Sequence, residues 1–269
     1  MDIQEISLPE LVKIAKEAGK LLLTHQSGVK RIESDKDFLT TADLKSDSLI
    51  FKRLEKLTPN IPIYSEEGKL VFLQHQKKLL VVDPLDGSIN YANGDDFWGL
   101  SIAYVENQQT QMGVVCLPAL KKLAAVSGNG ETIVENCQLA VSGETELSKA
   151  QVWGDWPKIF PAMQFKNSRK AVITLLDRLA ERTFYPQIRL CCSASLIAVA
   201  TSQISGYIHI KPGIEDFAAG ALIVEKAGGK VTDLDGKPWN LDSQSIVASN
   251  GLIHNQLLEV INPKTAERR

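Results

Sequence analysis

One segment of the chain combines acidic side chains at a spacing that suits metal chemistry. Residues 83–88 read Asp-Pro-Leu-Asp-Gly-Ser and directly follow the apolar run 79–82. That run predicts a buried strand, which would deliver Asp83 at its carboxyl end, where ligand sites commonly lie in α/β sheets. Together with Asp86 and the Leu85 carbonyl, this side chain offers the hard oxygen ligands that Mg²⁺ prefers.

The same segment also has features that suit a phosphate group. Gly87 lets the backbone approach a ligand closely, and Ser88 begins a predicted short helix whose N–H groups favour anions. However, Asp-x-x-Asp-Gly is also common in ordinary acidic turns. An EF-hand is excluded, because no ligands recur at alternate positions and no glutamate closes the loop. From this segment alone, a metal site and an ordinary turn are equally open.

Two further acidic pairs lie at the ends of predicted elements. Glu66 and Glu67 follow the short apolar run 61–64, whereas Glu215 and Asp216 open a predicted helix that continues with small residues. On its own, the first pair is typical of a solvated surface, and the second is typical of helix capping. The small residues after Asp216 favour more than capping, because they allow the start of that helix to press against a neighbouring element.

The elements that must position these residues form an α+β first half. A capping box at Ser7 and Glu10 predicts the first helix. A second helix is predicted to begin near Thr41 or Asp43 and to end before Pro59, with Phe51 among the side chains that face the core. Strand patterns follow, and they include an antiparallel hairpin. We expect an N-terminal α+β domain with a largely antiparallel sheet over residues 1–145.

The second half alternates strands and helices. Its predicted elements are helices at 171–179, 193–203, 216–226 and 251–261 and strands at 207–210, 230–232 and 246–248. We expect a C-terminal α/β domain over residues 146–269 that completes the active site.

Composition argues against several classes of protein. Of the 269 residues, 44% are hydrophobic, and 30 basic against 32 acidic side chains give a formal net charge of −2. This balance argues against a protein that coats nucleic acid polymers or a membrane surface, because both need a basic field. No apolar run approaches the ~18 residues of a membrane span, and the polar N-terminus lacks a secretory pattern. The four cysteines show no Cys-x-x-Cys spacing, so we expect reduced thiols and a cytoplasmic location.

Four motifs together resemble those of the inositol monophosphatase family and occur in the family's order. They are Thr-Thr-Ala-Asp at 40–43, Ser-Glu-Glu at 65–67, Asp-Pro-Leu-Asp-Gly-Ser at 83–88 and Asp-Phe-Ala-Ala-Gly at 216–220. The resemblance extends from about Lys36 to Asn250. It implies the layered α-β-α-β-α sandwich of the sugar phosphatases (inositol monophosphatase and fructose bisphosphatase), usually as a homodimer, and inhibition by lithium.

The resemblance also implies a metal centre with two Mg²⁺ ions. The implied ligands are Glu66, Asp83, the Leu85 carbonyl, Asp86 and Asp216. Asp83 is expected to bridge the two ions, which would stabilise the attacking and leaving oxygens of an in-line displacement. Lys36 matches a position close to a third, weaker metal site, although an isolated surface lysine is the simpler interpretation.

The family also supplies expectations for the water and for the phosphate. Ser88 and Asp43 take the positions of a Thr–Asp pair that orients the attacking water. Serine keeps the hydroxyl and loses only a methyl group, so we expect the relay to work, with Glu66 as a second water-orienting carboxylate. The backbone N–H groups of Gly87 and Ser88 are expected to bind the phosphate.

The sequence specifies substrate recognition less well. Residues 89–91 are close to the inositol phosphatase pattern, whereas residues 57–67 are more similar to the nucleotidase branch. The tryptophan that usually precedes the last metal aspartate is Glu215 here, and an inositol-binding glutamate is His209. His209 and Lys211 could instead contact a second charged group, although a strand histidine is more often structural.

The leading interpretation is hydrolysis of inositol-1-phosphate to inositol and phosphate by a metal-activated water. Ser193 and Ser195 match positions that shape the substrate pocket in the family. The enzymatic alternatives are a 3'(2'),5'-bisphosphate nucleotidase, which converts 3'-phosphoadenosine 5'-phosphate to AMP, and a sugar bisphosphatase. A catalytically idle regulatory relative is the alternative from another class, and the presence of all the metal carboxylates disfavours it.

Overall fold

The computed structural model describes residues 6–27, 31–32, 39–68, 76–155, 166–183, 185–210 and 212–262. Its helices are α1 (Leu8–His25), α2 (Thr41–Leu57), α3 (Ser88–Ala92), α4 (Lys166–Arg182), α5 (Cys192–Ala200), α6 (Ile214–Lys226) and α7 (His254–Ile261). Its strands are β1 (Arg31–Ile32), β2 (Leu39–Thr40), β3 (Ile63–Ser65), β4 (Lys78–Asp86), β5 (Gly99–Glu106), β6 (Gln109–Leu117), β7 (Lys122–Ser127), β8 (Thr132–Glu135), β9 (Gln151–Asp155), β10 (Tyr185–Ile188), β11 (Gly206–Ile210), β12 (Lys230–Thr232) and β13 (Ser245–Ser249). Two mixed sheets with helices confirm the predicted α+β fold class.

The chain divides into two compact units. The first comprises Met1–Gln138, Cys191–Ile197 and Ile214–Ile223. The second comprises Leu139–Leu190, Ala198–Gly213 and Val224–Arg269. The predicted domain boundary at residue 145 is close to Gln138, where the first segment of the first unit ends. However, the starts of α5 and α6 also belong to the first unit.

A six-stranded sheet forms the frame of the first unit. Its order is β3-β4-β5-β6-β7-β8, with β3 parallel to β4 and the other neighbours antiparallel. Leu80 and Val82 of β4 pack with Leu11 of α1 and Leu54 of α2 in one hydrophobic cluster. Successive side chains of a strand point to opposite faces, so the continuous apolar run of β4 buries both of its faces. Its carboxyl end is therefore held firmly.

Capping groups fix where the first helix begins. The Ser7 N–H group donates to Glu10 Oε2 at 3.2 Å, as in the predicted capping box, and the Ser7 hydroxyl donates to the same oxygen at 2.6 Å.

A five-stranded sheet forms the frame of the second unit. Its order is β10-β9-β11-β13-β12, in which β9 pairs parallel with β10 and β11, and β13 pairs antiparallel with β11 and β12. Residues of α4 and α7, among them Leu179 and Leu257, pack with Val152 and Ile208 of the strands. This unit therefore has a core of its own.

Some details differ from the sequence predictions. Phe51 is 42% exposed, so its predicted place in the core is wrong. The strands β8, β9 and β10 were not predicted. None of the helices in the described ranges is both long enough and apolar enough to cross a membrane.

Candidate active site

Asp83 and Asp86 lie at the carboxyl end of β4. Asp83 pairs with Ser101 of β5 and Asp86 pairs with Gly99, so β4 has one more residue than β5 between these pairs. Pro84 lies in this β-bulge and has no N–H group to donate to the ladder. Residues three positions apart in a regular strand point to opposite faces. The extra residue therefore allows both carboxylates to point to the same side.

The first turn of α6 brings a third carboxylate to this end of the sheet. A Cβ atom added to Gly113 of β6 would lie 2.6 Å from the carbonyl oxygen of Ala219, so the absence of a side chain lets α6 pack directly on the sheet. One carboxylate oxygen from each of Asp83, Asp86 and Asp216 lies within 4.8 Å of the others. Three acids that were predicted as metal ligands therefore meet in space.

The electrostatics of this cluster centre on Asp83, which is 1% exposed. Burial is the largest cause that raises its pKa well above the ordinary value. The negative charges of neighbouring carboxylates raise this pKa further, and they come from Glu66, Asp86, Asp216 and Glu215. A divalent cation among these oxygens would remove their mutual repulsion.

Glu66 lies beside the three clustered acids. It follows β3 directly, and its N–H group donates to the Val82 carbonyl at 3.4 Å. The preceding Ser65 hydroxyl donates to Asp47 of α2, which holds the end of β3 in place. The Glu66 side chain is exposed, yet its charge still raises the pKa of Asp83. It is therefore close to the cluster without belonging to it.

Asp43 and Ser88, which the family resemblance pairs, are hydrogen-bonded to each other. The N–H group of Thr40, the N-cap of α2, donates to Asp43 Oδ2 at 2.8 Å, and the Thr40 hydroxyl donates to the same oxygen. Ser88 Oγ lies 2.7 Å from Asp43 Oδ1 and 2.9 Å from the Leu85 carbonyl oxygen. Burial raises the pKa of Asp43, while the hydrogen bonds from Thr40 and Ser88 act in the opposite direction. This carboxylate is therefore a better proton acceptor than an ordinary aspartate.

The loop between β4 and α3 is held from two sides. Ser46 of α2 donates from its hydroxyl to the Pro84 carbonyl at 2.7 Å. On the other side, Gly87 has a φ of +83°, and an added Cβ atom would lie 3.2 Å from both Cys191 Cβ and the Phe97 carbonyl oxygen. Only glycine adopts this conformation readily in such a crowded position. The backbone of the predicted phosphate-binding residues is therefore fixed.

The start of α5 supports Asp86, one of the predicted metal ligands. The Ser193 N–H group donates to Asp86 Oδ2 at 2.6 Å. Cys191, immediately before α5, has a φ of +129°, which is unusual for a residue with a side chain. Its carbonyl accepts hydrogen bonds from the Ser195 N–H group at 3.1 Å and from the Ser195 hydroxyl at 2.8 Å. Such strained positions persist where the surrounding structure fixes them.

The predicted pocket residues have other contacts in this structure. Ser193 and Ser195 are 1% and 0% exposed, so their roles in a pocket stay predictions. His209 belongs to β11 in the second unit, and burial lowers its pKa to about 3. Its imidazole is therefore neutral at pH 7, and a contact with substrate would be a hydrogen bond rather than a charge interaction. Lys36 and Lys211 lie outside the described residues.

Several supporting contacts were not predicted. The spacing of Thr40 and Asp43 matches a capping box, so that pair could have been found from the sequence. The bond from Ser193 to Asp86 joins residues 107 positions apart, and no local pattern indicates it.

Comparisons with known proteins agree with this arrangement. A model described as the inositol monophosphatase family matches residues 5–268. A Thermotoga maritima protein named fructose-1,6-bisphosphatase/inositol-1-monophosphatase is 31% identical over 262 residues, which covers 95% of this chain and 96% of that protein. A Haemophilus influenzae protein named Nus factor SuhB is 29% identical over 261 residues, which covers 94% of each.

A solved structure gives the same result for the fold. An IMPase of Thermotoga maritima matches with a TM-score of 0.84 and 28% identity, covering 97% of this chain and 98% of that chain. The match to the family model extends over nearly the whole sequence and includes all the acidic motifs. The chain belongs to the inositol monophosphatase family.

Proposed function

We propose that this protein is a Mg²⁺-dependent hydrolase of small phosphomonoesters. The observation that carries the proposal is the meeting of Asp83, Asp86 and Asp216, whose carboxylate oxygens lie within 4.8 Å of one another. Ser88, which is hydrogen-bonded to Asp43, lies only two residues after Asp86. Membership of the inositol monophosphatase family supports a phosphatase as the general class.

The residues present fit a divalent cation that prefers oxygen ligands. Asp83, Asp86 and Asp216 would hold Mg²⁺, with Glu66 and the Leu85 carbonyl as further ligands. When bound, Mg²⁺ supplies positive charge for the phosphate oxygens and makes a bound water molecule more acidic. The number of ions, two or three, stays a prediction from the family resemblance.

Ser88 and Asp43 would orient and deprotonate the attacking water. The Ser88 hydroxyl has one proton, which it donates to Asp43 Oδ1 or to the Leu85 carbonyl. In the first case, the Ser88 oxygen keeps lone pairs that accept a proton from water while its own proton moves to Asp43. The raised pKa of Asp43 favours this transfer, because a more basic carboxylate takes up the proton more readily.

The phosphate itself would be bound by backbone groups. Gly87 is the N-cap of α3 and Ser88 is its first residue, and the N–H groups at the start of a helix have no partners within the helix. The left-handed conformation of Gly87 sets their direction. These donors would hold the phosphate oxygens while the ester bond to the leaving alcohol breaks.

Inositol-1-phosphate is the leading substrate. The name of the Thermotoga maritima relative includes both a fructose-1,6-bisphosphatase and an inositol-1-monophosphatase, so a sugar bisphosphate is a second candidate. The nucleotidase alternative rests only on residues 57–67 of the sequence.

A panel of phosphate-release assays tests the proposal. Purified protein with Mg²⁺ is given inositol-1-phosphate, fructose-1,6-bisphosphate and 3'-phosphoadenosine 5'-phosphate, and the same reactions are repeated with excess EDTA. We expect release that depends on Mg²⁺, with the highest kcat/KM for inositol-1-phosphate. Equal rates with Mg²⁺ and with EDTA would exclude the metal-dependent mechanism.

A regulatory role is a second candidate, because the Haemophilus influenzae relative is named as a Nus factor. A binding role alone needs no cluster of acids, so we favour an enzyme over a catalytically idle relative. Lithium inhibition and a homodimer stay predictions. The phosphate assay with added LiCl checks the first, and light scattering of the purified protein checks the second.

A further inference from the structure

A hydroxyl group of β5 reaches the helix that carries one of the predicted metal ligands. Ser101 is the direct strand partner of Asp83 in the ladder between β4 and β5. Side chains of directly opposed residues project to the same face of a sheet, with Cβ atoms about 4.5–5.5 Å apart. The Ser101 hydroxyl donates to the main-chain carbonyl of Glu215 at 3.0 Å. This hydrogen bond therefore joins the strand position beside Asp83 to the first turn of α6.

The bond lies on the face of the six-stranded sheet that carries α6. Leu100 and Ile102 belong to the hydrophobic cluster that includes α1 and α2, and successive residues of a strand alternate between faces. Ser101 therefore points to the opposite face, where Gly113 of β6 lets α6 lie directly on the sheet. Apolar contacts have no preferred direction, whereas a hydrogen bond to a carbonyl does. The Ser101 bond therefore fixes the rotation of α6 about its own axis.

The Glu215 carbonyl shares a peptide unit with the backbone of Asp216. The atoms from one Cα to the next lie in a plane, so the direction of this carbonyl sets the position of the Asp216 Cα atom. A carbonyl oxygen has two lone pairs, so the hydroxyl bond adds to the helical bond rather than replacing it. Ser101 is 2% exposed, and water therefore does not compete for the contact.

We propose that Ser101 is a positioning residue of the metal site, whose hydroxyl holds α6 at the rotation in which Asp216 and Asp83 bind the same cation. This inference rests on the proposed function, since it needs a cation at the acidic cluster. Carboxylate oxygens of Asp83 and Asp216 lie within 4.8 Å of each other. Mg²⁺ demands near-octahedral ligands at about 2.0–2.1 Å, whereas Ca²⁺ accepts flexible geometry at about 2.3–2.6 Å. A small rotation of α6 therefore harms a Mg²⁺ site more than a Ca²⁺ site.

Titration calorimetry of the purified full chain with MgCl₂, and separately with CaCl₂, tests the inference without any substrate. Ser101→Ala removes the hydroxyl, and Ser101→Cys keeps the space filled but offers only a weak S–H donor. Thr58→Val is the matched control. Thr58 is 5% exposed, and its hydroxyl donates to the Leu54 carbonyl at 3.0 Å at the carboxyl end of α2, the end away from Asp43.

We expect the Kd for Mg²⁺ to rise about tenfold in Ser101→Ala and in Ser101→Cys, as is common when a group that orients a metal ligand is lost. The Kd for Ca²⁺ should rise by about threefold or less, because Ca²⁺ accommodates a displaced carboxylate. Thr58→Val should keep both Kd values of the parent. Circular dichroism in EDTA checks that every variant is folded, and Ser101→Cys suffices for the test if Ser101→Ala does not fold.

Failure of the inference and failure of the proposed function give different results. If the parent binds Mg²⁺ and releases phosphate, but both Ser101 variants keep its Kd for Mg²⁺, only the positioning role is wrong. An equal loss of affinity for Mg²⁺ and Ca²⁺, or a loss that Thr58→Val shares, would also overturn the positioning role. If the parent binds no Mg²⁺ at all, the proposed function fails, and the inference fails with it.

Discussion

At the residue scale, the Asp83 carboxylate is stable in its surroundings only if something neutralises its neighbours. It is buried, and four other carboxylates raise its pKa. A cation would satisfy this cluster, whereas the metal-free protein must either keep the charge or bind a proton. Function and stability therefore place opposite demands on one side chain, as is common at active sites.

Replacing Asp83 by asparagine should lower the activity and raise the stability of the metal-free protein. We expect Asp83→Asn to lower the rate of phosphate release by about a thousandfold or more, because a central ligand is lost. In EDTA at pH 7, however, the variant should melt at a higher temperature than the parent, by about 2–4 °C for each kcal/mol of repulsion removed. The Leu85 N–H group, which donates to Asp83 Oδ1 at 3.0 Å, can still donate to the asparagine oxygen.

The pH dependence of that difference has a definite sign. Because the pKa of Asp83 is raised in the folded state, folding takes up a proton at pH values between the unfolded and folded pKa. The parent therefore loses stability as the pH rises through this interval, while Asp83→Asn does not. The difference in melting temperature should grow with pH and disappear near pH 4. A difference that stayed constant between pH 4 and pH 8 would contradict this account.

Ser88→Ala tests the proton acceptor. We expect a folded protein whose kcat falls by about 100-fold or more, the typical contribution of general base catalysis. Ser88→Thr is the matched control, because it keeps the hydroxyl beside Asp43 Oδ1 and should keep most of the activity. Steady-state phosphate release under saturating Mg²⁺ measures both. Full activity in Ser88→Ala would show that another group orients the water.

At the element scale, two glycines at opposite ends of α3 provide a controlled comparison. Gly87 and Gly94 both have positive φ values, +83° and +78°, but an added Cβ meets atoms of Cys191, Phe97 and Trp98 only at Gly87. Alanine should cost about 1–2 kcal/mol at either position through its backbone conformation. At Gly87 the crowding adds about 1–3 kcal/mol more.

We therefore expect Gly87→Ala to lower both the melting temperature and the phosphatase rate, and Gly94→Ala to lower the melting temperature alone. Thermal unfolding and the phosphate assay, run on the same preparations, measure the two effects. If both variants lost activity equally, the backbone at Gly87 would have no special part in binding the phosphate.

Some of the helices and strands could be predicted from the sequence, and others could not. β4 and α1 were found because a continuous apolar run and capping residues mark them locally. β10 was missed because it is a short strand at the sheet edge with a proline at position 186, and such a strand depends on its neighbour β9 rather than on its own pattern. Phe51 was assigned to the core from helical spacing, which does not define the edge of the buried face.

In the candidate site, too, the sequence predicted some residues and missed some contacts. The acids at 83, 86 and 216 were found because each ends or begins an element and each belongs to a motif. The bond between Ser193 and Asp86 was missed because it joins residues far apart in sequence. Contacts of that kind depend on how elements pack, which no single motif records.

At the scale of the whole molecule, cation binding should be coupled to global stability and to pH. The acids of the cluster belong to the first unit, which has its own hydrophobic core. A ligand that binds only the folded state stabilises it, by about 2.7 kcal/mol when its concentration is 100 times the Kd. Mg²⁺ must compete with protons for Asp83, whose pKa is raised. Its stabilising effect should therefore weaken as the pH falls.

Two buried histidines also lower the stability as the pH falls, so their effect must be separated from that of Mg²⁺. Burial lowers the pKa of His209 to about 3 and that of His254 to about 4, below the ordinary value of about 6.5. Folding releases their protons below pH 6.5, so both reduce stability as the pH falls. This loss of stability is the same with and without Mg²⁺. It therefore cancels when the melting temperature without Mg²⁺ is subtracted from the melting temperature with Mg²⁺ at the same pH. We expect the difference in melting temperature caused by Mg²⁺ to be large at pH 8 and small at pH 5 in the parent. In Asp83→Asn this difference should be absent at both pH values. An equal difference at both pH values in the parent would mean that Mg²⁺ stabilises the protein at some place other than the acidic cluster.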